Sequence, residues 1–255
     1  MRYSCVVLAA FCFSITLMTL DAAEPETPDK PLANAAATEK PSTELPKSVD
    51  LRPQFEEHQL TPRNQGSRGT CSVFTTASAL EFAWSKQLGK STPLSVEYLN
   101  WACNQVINND RDRGQFFHHL LDGFSEYGIC LEAEMPYQQK FDAKLAPSDA
   151  AAATAKEIGA DKFEIHWIKR IGRRGRRPGL REWQFDEVKQ ALADGWPVAA
   201  GAAHSRLLVG YVDDPASQGG GYFYTKDSGI GRFGKVTYEF VQTEVNDAFW
   251  IEPKR

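Results

Sequence analysis

One cysteine in this chain stands where a polar turn hands over to an apolar periodic segment. In NQGSRGTCSVFTTASALEFAW (residues 64–84) the thiol of Cys71 falls at that junction. Phe74, Ala77, Leu80, Trp84 and Leu88 recur at three- and four-residue steps, which predicts a helix with a buried face. Cys71 then sits in the first helical turn, where unpaired backbone N–H groups and the positive end of the dipole favour thiolate over thiol. Such a setting suits a nucleophile, although a lone cysteine also serves as a small buried apolar residue.

A thiolate nucleophile needs a base to manage its proton, a group to orient that base, and donors for a developing oxyanion. The chain has five histidines. His58 lies in an early polar segment, His118 and His119 are neighbours on a predicted helix, and His166 lies in a strand-like run. These four read as structural or solvated. His204 opens HSRLLVGYV directly after the small residues GAA, so an imidazole there projects from a strand terminus and escapes burial in a sheet.

The elements that must position these groups divide along the chain. Helical patterns cover about 71–88, 94–107, 114–127, 148–158 and 185–194, and strand-like runs cover 162–168, 197–201, 206–212, 221–227 and 235–241. A mostly helical amino half followed by a mostly strand-forming carboxyl half predicts an α+β protein of two lobes with a cleft between them. Residues 24–44 belong to a stretch rich in Pro, Ala, Thr and charge that reads as a disordered linker. Ahead of it, Arg2, the 15-residue apolar run Val6–Leu20 and the small residues Ala22 and Ala23 read as a signal peptide over 1–23. That run is shorter than the roughly 20 residues a membrane span requires. The expectation is a secreted or periplasmic protein, with no membrane partner after cleavage.

Removing the signal takes away Cys5 and Cys12 and leaves Cys71, Cys103 and Cys130. In an oxidising compartment an odd count predicts one bridge and one free thiol. Cys103 and Cys130 are the expected pair, with Cys71 left free. A net charge of −4 gives no reason to expect nucleic acid as a partner. The stretch KRIGRRGRRPG (169–179) holds six basic residues within nine positions and reads as a solvated loop more readily than as a polyanion site.

Over most of residues 45–235 the chain resembles the papain family of cysteine peptidases. LPKSVDLRPQF (45–55) is similar to the family's mature start, NQGSRGTCSVF to its glutamine-to-cysteine block, HSRLLVGY to its histidine block, and YFYTKDSGIGRFG (222–234) to its Asn-Ser-Trp-Gly block. YGICLEAEMPY (127–137) is similar to a segment of bacterial members. His204 follows Cys71 by 133 residues, within the family's spacing. The resemblance implies a papain-like domain over 45–255, with a helical amino-terminal lobe and an antiparallel sheet or barrel in the carboxyl-terminal lobe. It implies Cys71 as nucleophile, His204 as base, Asp227 as the orienting group and Gln65 as an oxyanion donor, acting on a peptide or protein substrate without a cofactor.

Several positions depart from the family pattern. Arg68 replaces a half-cystine, Ser72 an aromatic residue, Asp227 an asparagine and Gly229 a tryptophan, and little chain separates PVAAG from His204. The aspartate is expected to raise the histidine pKa, with Gly229 too small to shield the pair from water. These departures keep two other readings open: a papain-like binding protein without catalysis, and a papain-like acyl transferase or amidase.

Overall fold

The computed structural model describes residues 44–110, 115–171 and 177–254. The predicted signal peptide, nearly all of the linker and the middle of the arginine-rich stretch lie outside the described residues. In chain order the elements are β1 (Ser48–Asp50), α1 (Arg52–Glu57), α2 (Cys71–Leu88), α3 (Val96–Val106), α4 (Phe117–Tyr127), α5 (Asp149–Glu157), β2 (Phe163–Lys169), α6 (Glu182–Ala193), β3 (Val198–Gly201), β4 (Arg206–Asp213), β5 (Gly221–Asp227), β6 (Arg232–Thr237), α7 (Tyr238–Glu244) and β7 (Asp247–Pro253). This is the expected α+β order, with helices α2–α5 ahead of the sheet-forming half. Among the described residues no helix is long and apolar enough to cross a membrane.

The strands form one antiparallel sheet in the order β2-β7-β3-β4-β5-β6. Beyond the end of β3, β1 takes over the same side of β4, pairing Asp50 with Gly210. The first strand of the described residues therefore belongs to the sheet of the carboxyl half. Gly210 is required at this crossing: its φ is +150°, and a Cβ there would stand 2.3 Å from the carbonyl oxygen of Val49. Leu207, Leu208 and Val209 of β4 are all buried, because α2 covers one face of the strand and α6 the other.

Helix α2 is the centre of the molecule and touches α3, α4, β3, β4 and β7. Phe74, Ala77 and Leu80 of the predicted stripe are buried, but so are Val73, Thr76, Ala79, Phe82 and Ala83 around the rest of the cylinder. The stripe also ends early, since Leu88 is 42% exposed. Capping sets several other helix starts: Ser95, Ser148 and Thr237 each accept a backbone N–H from their own first turn. The Thr237 cap corrects the strand expected over 235–241. There the chain leaves β6 at Thr237 and continues as α7, which buries Tyr238 and Val241 at helical spacing.

The expected disulfide is also overturned: Cys103 and Cys130 are both buried free thiols. Cys103 lies late in α3, against Gly123 of α4, whereas the Cys130 carbonyl accepts the N–H of Ser95 at the opposite end of α3. Eight helical residues separate Ser95 from Cys103, a rise of roughly 12 Å, and a disulfide needs Cα atoms within about 7 Å. Burial pushes both thiols up to about 12.

Candidate active site

Cys71 is the first residue of α2, a helix whose start has no side-chain cap. The Thr70 hydroxyl, which a cap would use, is instead within hydrogen-bond distance of Tyr137 Oη at 2.8 Å. The start of α2 thus has no side-chain cap beside the thiol, where the helix dipole favours negative charge. The thiol is partly buried, with the His204 ring and Ser205 close enough to act on its proton. Burial alone raises its pKa, but these two neighbours outweigh burial and hold Cys71 below the usual thiol value.

His204 stands in the short connection between β3 and β4, two residues before β4 begins. Its Nε2 lies 2.7 Å from Oδ1 of Asp227, the last residue of β5. The ring is therefore bonded to Asp227 and acts electrostatically on Cys71. The hydrogen bond to Asp227, and after it the neighbouring Cys71, raises His204 to about 9 against the opposing effect of burial. Burial acts to raise the Asp227 carboxyl, yet the bond to His204 and the N–H of Gly229 bring it down to about 2.

The expectation about Gly229 is corrected by its backbone. Gly229 N donates to Asp227 Oδ1 at 2.8 Å, and a Cβ on this residue would lie 3.0 Å from His204 Nε2. Close main chain, with no side chain, covers the pair; the Asp227 side chain is 7% exposed and that of His204 27%. Ser72 is buried, and its hydroxyl has no partner among the described residues.

Gln65 is fixed at both ends of its amide. Its Oε1 accepts from Ser228 Oγ at 2.7 Å, and its Nε2 donates to the Arg68 carbonyl at 2.8 Å. A primary amide has two N–H bonds, so one donor remains beyond that contact. Gln65 is anchored further by its N–H, which donates to the Ser228 carbonyl at 3.0 Å, and by its own carbonyl, which accepts from Tyr137 at 2.9 Å. Arg68, where a half-cystine was expected to be missing, forms a buried two-pronged ion pair with Glu97 at 2.6 and 3.1 Å. It also donates to the Gln138 carbonyl, so an electrostatic tie joins the turn before Cys71 to α3 and to residue 138.

Of the four predicted residues, His204 is bonded to Asp227, Gln65 is bonded to Ser228, the neighbour of Asp227, and Cys71 is close enough to His204 for each to shift the other's pKa. The other histidines are elsewhere. His58 ends α1, His118 stacks on Phe116 while His119 meets that ring edge-on, and His166 pairs with Glu252 at 3.0 Å while stacked on Trp250. Among the described residues, Glu164, His166 and Glu252 are the one group with three metal-ligating atoms within 4.8 Å. They lie on the β2–β7 pair, apart from Cys71, and the histidine is already satisfied. A cavity of about 30 Å³ opens beside Ser205, between Phe116, Phe117, Gly201 and Asn246.

Reasoning from sequence missed Ser205, Ser228 and Arg206. Arg206 Nε donates to Asp227 Oδ2 at 2.8 Å and its guanidinium reaches the His204 carbonyl at 3.3 Å. A single charged residue at the head of the apolar run LLVGYV was the available signal. The cross-strand register supplied the rest: Leu207 pairs with Lys226, which sets Arg206 beside Asp227.

Comparison with known proteins bears on the fold and the family. The solved structure of xylellain, a cysteine protease from Xylella fastidiosa, superposes with a TM-score of 0.63 at 20% identity, covering 83% of this chain and 87% of that one. Digestive procathepsin L 3 of Tenebrio molitor superposes at 0.61 with 18% identity, covering 85% and 72%. At these identities the likeness is one of fold. Cathepsin 7 of Rattus norvegicus is 31% identical over 110 residues, 43% of this chain and 32% of that protein. Cathepsin J of Mus musculus is 35% identical over 98 residues, 38% of this chain and 28% of that protein. The matched stretch spans about a third of the length of these relatives. Residues 45–254 match the family described as papain family cysteine protease. With that match spanning most of its length, the chain belongs to the papain family of cysteine proteases.

Proposed function

We propose that this chain is a secreted cysteine peptidase that hydrolyses peptide bonds through Cys71, His204, Asp227 and Gln65. The observation that carries the reading is the His204 ring bonded to the Asp227 carboxylate at 2.7 Å, with the Cys71 thiol at the start of α2 close enough to share its proton. The imidazole raised to about 9 and the thiol held below its usual value both favour the thiolate–imidazolium form of the pair.

In this mechanism the thiolate attacks the scissile carbonyl carbon. The resulting oxyanion accepts the remaining Gln65 N–H and the Cys71 backbone N–H. The imidazolium passes its proton to the leaving amine as the C–N bond breaks, leaving an acyl-thioester. His204 then takes a proton from water as the hydroxide attacks the thioester, and the sulfur leaves as thiolate with the acid product released, which restores the thiolate–imidazolium pair. Asp227 keeps the ring oriented and stabilises its charged form. The YGICLEAEMPY segment supports placing the chain with bacterial members, and the amino-terminal residues support export.

An epoxide inhibitor of cysteine peptidases tests the reading. One equivalent should attach to Cys71 and abolish peptide cleavage, and Cys71→Ala should lose both labelling and cleavage. A folded protein with intact Cys71 that neither reacts nor cleaves at any pH would return the cleft to a binding role. Cleavage of cell-wall amides without peptide cleavage would move it to the amidase class.

A further inference from the structure

The pairing of Asp227 with an arginine bears on why an aspartate works where the family pattern has an asparagine. Its two oxygens have separate partners. Oδ1 faces His204 Nε2 at 2.7 Å and the Gly229 N–H at 2.8 Å, while Oδ2 receives Arg206 Nε at 2.8 Å. The Arg206 side chain is 24% exposed and its guanidinium lies 5.6 Å from the Phe240 ring, so it is packed in place. Because Arg206 also reaches the carbonyl of His204, one side chain braces both members of the histidine–aspartate pair.

We infer that Arg206 is a positioning residue that neutralises the second oxygen of Asp227, so that the cysteine–histidine pair experiences a carboxylate whose net charge is close to that of an amide. The inference deepens the peptidase reading and rests on the same site. The charged groups facing His204 and Asp227 come from three elements: Cys71 from α2, Arg206 from β4 and Asp227 itself from β5, while α7 supplies the uncharged Phe240. Lys226, although adjacent in sequence, points to the opposite side of β5, where it meets Ser78 and Glu81.

The consequence has a definite sign. An added negative charge makes thiolate formation harder and imidazolium deprotonation harder, so both limbs of a pH profile rise; an added positive charge lowers both. Asp227→Asn should therefore move both limbs down, and Arg206→Gln should move both up, each by roughly half to one pH unit, as expected for a unit charge a few ångströms away in a partly hydrated site. The double variant Asp227→Asn/Arg206→Gln restores the net charge and should fall back near the wild-type limbs. Arg206→Lys, which keeps the charge, should stay near wild type.

The experiment follows two rates against pH in the full chain: peptide hydrolysis, and alkylation of Cys71 by iodoacetamide, a small neutral probe. Opposite shifts in the single variants with cancellation in the double variant support the assignment. Superimposable limbs for wild type and Arg206→Gln, or shifts that fail to cancel, overturn it. Should glutamine not fold, Arg206→Met keeps the stem against Phe240 and carries the same expectation. Alkylation needs no peptidase activity. Expected shifts in alkylation without any peptide cleavage would keep Arg206 in this role and remove the peptidase reading. Cleavage with unmoved limbs would do the reverse.

Discussion

At the scale of single residues, Gln65 is as well held as Cys71. Three hydrogen bonds tie it to Ser228, through its side-chain oxygen and its N–H, and to Tyr137 through its carbonyl, and a fourth sends one amide hydrogen to Arg68. Such immobilisation is what an oxyanion donor requires, since a preorganised dipole costs nothing to reorient during the reaction. Gln65→Ala is expected to lower kcat by about 10²–10³ with a smaller effect on KM. Ser228→Ala, which only loosens the amide, should cost less than that. Steady-state kinetics on a peptide substrate check both, and an unchanged kcat in Gln65→Ala would remove the residue from the chemistry.

At the scale of elements, a buried ion network fastens the lobes behind the cysteine. Glu81, in the middle of α2 and 1% exposed, meets Lys226 Nζ at 2.8 Å from β5 and an Arg63 guanidinium nitrogen at 2.8 Å. Burial works to raise the Glu81 carboxyl, but the two cations outweigh it and hold it below the carboxylate range; burial in turn lowers Lys226. The trio explains how α2 tolerates a charge between Leu80 and Phe82. Removing the anion leaves Lys226 buried without compensation, so Glu81→Gln should destabilise the fold by about 3–5 kcal/mol. Denaturant unfolding of the two proteins measures this; a loss under 1 kcal/mol would mean that water already shares the load. Gly210→Ala should also cost more than about 1 kcal/mol, because the methyl would push β1 away from β4.

At the scale of the whole molecule, none of the three described cysteines is joined to another, and Arg68 with Glu97 supplies a tie across the amino-terminal lobe. Thermal stability is therefore expected to be the same with and without a reductant. Among the described cysteines only Cys71 should alkylate in the native state, because Cys103 and Cys130 are buried with thiols near 12; denaturant should expose both. Titration of the site also sets a pH window for stability. The Asp227 contribution is present above the ordinary carboxylate value and is lost as pH falls towards about 2. The His204 contribution is full below the ordinary imidazole value and is lost as pH rises through about 9. Melting temperature should therefore fall on both sides of a mildly acidic plateau, and less steeply in Asp227→Asn.

Local signals in the sequence determined the helix that begins at Cys71, most strand positions and the order of the four blocks, because side-chain periodicity and turn chemistry act over a few residues. The same local view misread 235–241, where one cap at Thr237 outweighed a run of strand formers, and it did not find β1, α1 or β7. Cys103 and Cys130 were paired by counting, which carries no distance; the length of α3 keeps them apart. Only the tertiary structure decided that α2 is buried all round, that Gly229 covers the histidine–aspartate pair with its backbone, and that Arg206 reaches Asp227. Each of those depends on which strands and helices lie side by side. Contact between residues far apart in the chain is fixed by register and packing, and neither is written in the spacing of the residues themselves.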